Sequence, residues 1–123
     1  MLDNAATAIA MAAKAFARIA LFEDRRRSWS RRTFQVDSPL GAIEHLREEL
    51  DEVKAEYLAG NTFALREELA DLGLLYRDIV DRCGVSFEEH QADLEAKHEV
   101  NEKREWPQAV EGEPCKHVKG DGV

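Results

Sequence analysis

The stretch SPLGAIEHLREELDEVKAEYLAGNTFALREELADLGLLYRDIVDRCG, residues 38–84, decides the fold. After Pro39 it contains no proline, and its apolar residues recur at helical spacing on either side of Gly60-Asn61. Ser38-Pro39 reads as an N-cap followed by proline at the first helical position. Gly60 stops that helix, Asn61 caps the next, and Gly84 ends it. The stretch is therefore two helices joined by a tight turn. It carries two acidic words, Glu49-Leu50-Asp51-Glu52 and Glu68-Leu69-Ala70-Asp71, each with carboxylates three residues apart on one helical face.

On the N-terminal side, an alanine-rich helix is expected from about Asp3 to the Arg25-Arg26-Arg27 cluster, within residues 1–28. A polar linker from Ser28 to Asp37 follows, carrying Trp29 and Phe34. On the C-terminal side, Ser86-Phe87-Glu88-Glu89 has the capping-box spacing and opens a fourth helix. That helix ends near Trp106-Pro107, because a residue before proline is biased away from helix. Residues 108–123, with Gly112, Pro114, Gly120 and Gly122, read as a mobile tail. The expectation is one all-α domain of four helices over residues 1–107, with a modest core, followed by a flexible tail.

Hydrophobic residues make up 44% and charged residues 34%, a soluble helical balance. No apolar run approaches the ~20 residues that span a bilayer, so no membrane partner is expected. Lys14 and Arg18 in an alanine-rich start bring a transit peptide to mind. Asp3, Glu23, Asp24 and the helical continuity into Phe22 argue against one. A net charge of −8 argues against a nucleic-acid polymer, which needs a broad basic face. It leaves room for a phosphorylated small molecule held by metal ions and a few placed cations. Cys83 and Cys115 have no spacing partner for zinc or a redox motif, which suits a reducing compartment.

At about 100° per residue, Glu49 falls beside the apolar stripe Ile43, Leu46, Leu50, Val53 and Tyr57, with Glu52 and Glu56 further round that flank. Glu68 borders the stripe Leu65, Leu69, Leu72, Tyr76, Ile79 and Cys83, with Asp71 beyond. Antiparallel packing would set the two acidic rows face to face. Four converging carboxylates repel, and their pKa values rise unless cations neutralise them. Mg²⁺ or Mn²⁺, with water completing the coordination, resolves that conflict. A solvated helix face, helped by Arg47 and Arg66, is the plainer alternative, and periodicity alone does not decide between them.

Lys97, Asn101 and Arg104 recur on one face of the fourth helix. A cation, an amide and a guanidinium together suit a polyphosphate, which Arg grips bidentately. Complementing the helix dipole would account for Lys103 and Arg104 but gives no reason for Asn101.

With these words in hand, the sequence resembles the MazG-like nucleoside triphosphate pyrophosphohydrolases of the all-α NTP pyrophosphatase superfamily. The run Lys97-x-x-x-Asn101-x-x-Arg104-x-Trp106-Pro107 is similar to the branch described as dATP/dGTP diphosphohydrolases, often encoded by phages and bacteria. The upstream residues Trp29, Thr33-Phe34, Ser38-Pro39 and His45 to Leu50 fit the same branch. The resemblance covers roughly residues 29–107.

It implies a four-helix MazG-like bundle assembling as a homodimer or homotetramer. It further implies hydrolysis of a (deoxy)nucleoside triphosphate to the monophosphate and diphosphate, with dGTP or dATP preferred. Glu49, Glu52, Glu68 and Asp71 match the metal ligands, for about two to three Mg²⁺ or Mn²⁺ per site with substrate bound. Lys97, Asn101 and Arg104 match positions near the triphosphate, and Trp29, Phe34 or His45 shape the base pocket. Glu48, Glu52 and Glu56 are the candidates for the catalytic base. The compartment implied is the cytoplasm of a bacterium, or of the host cell for a phage-encoded chain. The rival readings are a catalytically silent nucleotide-binding module of this fold and a non-enzymatic helical adaptor.

Overall fold

Four helices account for the regular structure of the described residues, 3–120 of a computed structural model, with no strand among them. They are α1 (Asn4–Phe34), α2 (Leu40–Ala59), α3 (Thr62–Arg82) and α4 (Phe87–Lys103). The chain forms two compact units divided between Phe87 and Glu88, so α1 to α3 belong to the first and nearly all of α4 to the second.

The sequence signals for the helix ends reappear as backbone geometry. Asp3 accepts the Ala6 N–H at 2.7 Å and caps α1, whose alanine-rich start has the highest intrinsic helix propensity. α2 opens one residue later than expected, with Pro39 at the N-cap rather than in the first helical position, while Ser38 Oγ accepts the Leu40 N–H at 3.1 Å. Gly60 closes α2 at φ 71°, where a side chain would be strained, and donates its N–H to the carbonyls of Glu56 and Tyr57. Asn61 Oδ1 then accepts the Ala64 N–H at 3.1 Å, so a two-residue turn reverses the chain. The acidic Glu88 and Glu89 sit in the first turn of α4, at the positive end of its dipole.

The expected linker from Ser28 is replaced by helix. α1 continues without interruption to Phe34 and ends at Gln35, in the left-handed region at φ 49°. The reason lies on its inner face. Ser28 to Arg32 look like linker residues because they are polar, but Arg26, Arg27, Ser30 and Arg31 recur at helical spacing and face acidic residues of α3. Arg26 pairs with Asp78 at 3.0 Å, Ser30 donates to Asp78 at 2.7 Å, and Arg27 and Arg31 reach Asp81 at 2.6 and 3.0 Å. Polarity here marks an interface between helices.

The expected modest core is likewise corrected. Among the described residues no hydrophobic side chain is buried; the buried ones are Glu23, Arg26, Ser30, Glu49, Asp78 and Arg82. Leu50, Leu69 and Tyr76, three residues of the apolar stripes, are 48%, 46% and 44% exposed. One chain therefore supplies apolar faces without covering them. α1 also contains an 18-residue window apolar enough to span a bilayer, with mean hydropathy 1.5 and none of it buried. Alanine produces that value, and by length and composition alone it is a weak sign of a membrane.

Within the second unit, residues 108–120 form no helix. Val118 donates its N–H to the Glu105 carbonyl at 2.8 Å, and His117 stacks edge-on to Trp106 at 5.9 Å. Both cysteines are free thiols.

Candidate metal and nucleotide site

The turn at Gly60 sets the register of the acidic words. Glu49 and Asp71 each lie eleven positions from Gly60, and Glu52 and Glu68 each lie eight. In an antiparallel pair of helices, residues equidistant from the turn meet at the same level. The structure accordingly gathers Glu49, Glu68 and Asp71, whose ligand oxygens all lie within 4.8 Å of one another. Glu52 stands outside that trio but hydrogen-bonds to Glu68, and this bond, with the charge of Glu68, pushes the Glu52 carboxyl up. Glu68 is pushed up in turn, chiefly by its hydrogen bond to Glu49.

Glu49 is the most telling member. It is 7% exposed; one oxygen faces His45 Nε2 at 3.4 Å, and the other, Oε2, is buried with no hydrogen-bond partner. An unsatisfied buried acceptor costs about 1–3 kcal/mol, and more when charged. All the donors present are hard carboxylate oxygens, and carboxylates held this close repel one another unless a cation neutralises them. This set fits Mg²⁺ or Mn²⁺, and it fits a thiophilic metal poorly.

Beside the cluster lies a cavity of about 680 Å³, within the range of small-molecule sites. Its lining takes in Glu49 and Asp71 of the acidic words together with Ser30 of α1 and Asp78, which lies two helical turns beyond Asp71 on α3. Aromatic residues of α1 form one wall, with Trp29 and Phe34 meeting edge to face at 5.5 Å. The structure thus brings Trp29, Phe34 and His45 together with two of the expected metal ligands.

Other candidates fall elsewhere. Glu48 is exposed and Glu56 half-buried on α2, and neither belongs to the trio. Lys97, Asn101 and Arg104 lie in the second unit. There Arg104 Nη1 donates to Asn101 Oδ1 at 3.1 Å, and Trp106 Nε1 donates to the Asn101 carbonyl at 2.7 Å. The sequence reading missed Ser30, Asp78 and Arg82. Their signal was available as spacing: Asp78 follows Asp71 by two helical turns, and Arg26 and Ser30 sit one turn apart.

The sequence signature of the dATP/dGTP pyrophosphohydrolases matches residues 22–122. The chain belongs to that family. As a dATP/dGTP pyrophosphohydrolase family member, it is a hydrolase acting on the anhydride bonds of nucleoside triphosphates. Its fold is similar to that of the cyanophage S-2L MazG-like pyrophosphohydrolase, solved bound to dGDP and three catalytic Mn²⁺ ions per active site. That likeness has a TM-score of 0.64 and 24% identity, over 83% of this chain and 94% of the phage protein. No curated protein matches the chain. The family match begins at residue 22, so the alanine-rich start of α1 lies outside it.

Proposed function

We propose that this family member hydrolyses purine deoxynucleoside triphosphates, dGTP and dATP, to the monophosphate and diphosphate in a divalent-metal-dependent reaction. The observation that carries this reading is the buried, unpartnered Glu49 Oε2 inside a group of three carboxylates, two of which line an aromatic-walled cavity. Glu49, Glu52, Glu68 and Asp71 would hold Mg²⁺ or Mn²⁺, about two to three ions per site with substrate bound. When bound, such ions polarise the α-phosphoryl group and offset phosphate charge.

The chain's own groups supply the rest. A water oxygen attacks the α-phosphorus, the bridging bond to the β-phosphate breaks, and diphosphate leaves. Of Glu48, Glu52 and Glu56, Glu52 is hydrogen-bonded into the cluster, which favours it as acceptor of the water's proton. Lys97, Asn101 and Arg104 have the chemistry to take the β- and γ-phosphates, the role that the family resemblance implies for them, where charge accumulates as the bond breaks. Trp29 and Phe34 receive the base, and His45 orients Glu49 through their 3.4 Å contact.

The uncovered apolar faces support a homodimer or homotetramer as the working form. We place the enzyme in the cytoplasm, where its substrates are, with no nucleic-acid polymer or membrane as partner.

The test is diphosphate release across the common NTPs and dNTPs with Mg²⁺ and with Mn²⁺. Glu49→Gln and Asp71→Asn should each lower metal-dependent turnover by about 100-fold or more while keeping the helical circular-dichroism signal. Wild-type-like turnover by either folded variant would sink the assignment.

A further inference from the structure

Ser30 and Asp78 line the same cavity as Glu49 and Asp71 but are held differently. Asp78 is 8% exposed and Ser30 2%. Asp78 Oδ1 accepts from Arg26 Nη1 at 3.0 Å and from Ser30 Oγ at 2.7 Å; its Oδ2 accepts from Arg82 Nε at 2.8 Å. Arg82 Nη2 also donates to Ser30 Oγ at 2.9 Å, and its Nη1 donates to the Val36 carbonyl. Burial alone would push Asp78 up, but hydrogen bonds from Arg82, Ser30 and Arg26 outweigh it and hold the carboxyl below its ordinary value.

These anchor points bracket the aromatic wall. Arg26 and Ser30 flank Trp29 along α1, and Val36 lies two residues beyond Phe34. With no hydrophobic side chain buried here, the station of α1 on α3 depends on polar and ionic contacts. A wall held by directional bonds has one position, whereas a wall held by grease tolerates several.

We propose that the Arg26–Ser30–Asp78–Arg82 network is a positioning device for base selection, pinning α1 and its connector to α3. It thereby sets how far Trp29 and Phe34 stand from Glu49 and Asp71 across the cavity. This rests on the reading of that cavity as the nucleotide site. These four are positioning residues: they act through the aromatic pair.

The experiment uses full-length protein carrying Ser30→Ala, Asp78→Asn or Ser30→Thr, each made also with Trp106→Phe so that Trp29 is the sole tryptophan. Ser30→Ala should raise KM for the preferred dNTP about tenfold and leave kcat within about twofold. It should also cut the kcat/KM ratio between preferred and disfavoured bases about tenfold. Ser30→Thr, which keeps the hydroxyl, should restore that ratio. Trp29 emission and its quenching by acrylamide should shift in Ser30→Ala and Asp78→Asn without added nucleotide.

An unchanged base ratio with unchanged Trp29 emission in folded Ser30→Ala overturns the proposal, as does a fall in kcat at constant KM. Ser30→Ala leaves both arginine–Asp78 pairs in place, so it carries the test if Asp78→Asn unfolds. A wild type that releases no diphosphate from any nucleotide defeats the site reading instead; the Trp29 measurements then decide the positioning claim by themselves.

Discussion

At the scale of single residues, two carboxyls of the acidic cluster hold their protons more tightly than ordinary ones. Glu52 is raised by its hydrogen bond to Glu68, and Glu68 by its bond to Glu49. An acid whose folded pKa is raised holds its proton better in the native state. Its effect on stability is therefore unfavourable, growing as pH rises from the unfolded value through the folded one. A divalent cation displaces those protons, so binding should release them. Titration calorimetry of Mn²⁺ into the protein, in buffers of different ionisation enthalpy, should show net proton release at mildly acidic pH. Glu52→Gln and Glu68→Gln should each reduce that release. No buffer dependence would mean the carboxylates are already fully ionised.

At the scale of elements, the junction of α1 with α3 is where ionic geometry stands in for apolar packing. Removing one partner of a buried pair costs about 3–5 kcal/mol, so Asp78→Asn should lower unfolding free energy by that order in urea melts near neutral pH. The sign of its pH dependence follows from the depressed Asp78 pKa. The carboxylate's contribution is complete above the unfolded value of about 3.9, and it is lost as pH falls through the lower folded one. The gap between wild type and variant should hold from about pH 5 to 8 and narrow in stronger acid. A pH-independent gap would assign the effect to packing.

The same junction explains what could be read beforehand. The α2–α3 hairpin and its carboxylates were legible because turn residues and helical period are local properties of the backbone. The α1 extension was not, since Ser28, Ser30 and Arg31 look alike whether they face water or a neighbouring helix. Asp78 and Arg82 were passed over for the same reason: a charged residue announces a buried role only when its partner, some fifty positions away, is known.

At the scale of the whole molecule, the apolar faces of α2 and α3 are only partly covered, with Leu50, Tyr57, Leu69 and Tyr76 exposed. Exposed apolar patches of this kind mark contact surfaces, and covering them should couple folding to association. Sedimentation should find a dimer or tetramer, and the melting temperature should rise with protein concentration. A monomer with a concentration-independent melt would refute the assembly. One practical consequence follows for anyone reading a mutational scan of this enzyme. In an ordinary monomer, substitutions at residues as open as Leu50, Leu69 and Tyr76 fall within about ±0.5 kcal/mol. In the assembly proposed here those positions are interior, so solvent exposure ceases to be a guide to tolerance. A charge at Leu50 would act as a core defect, and its severity would depend on how much enzyme the cell makes.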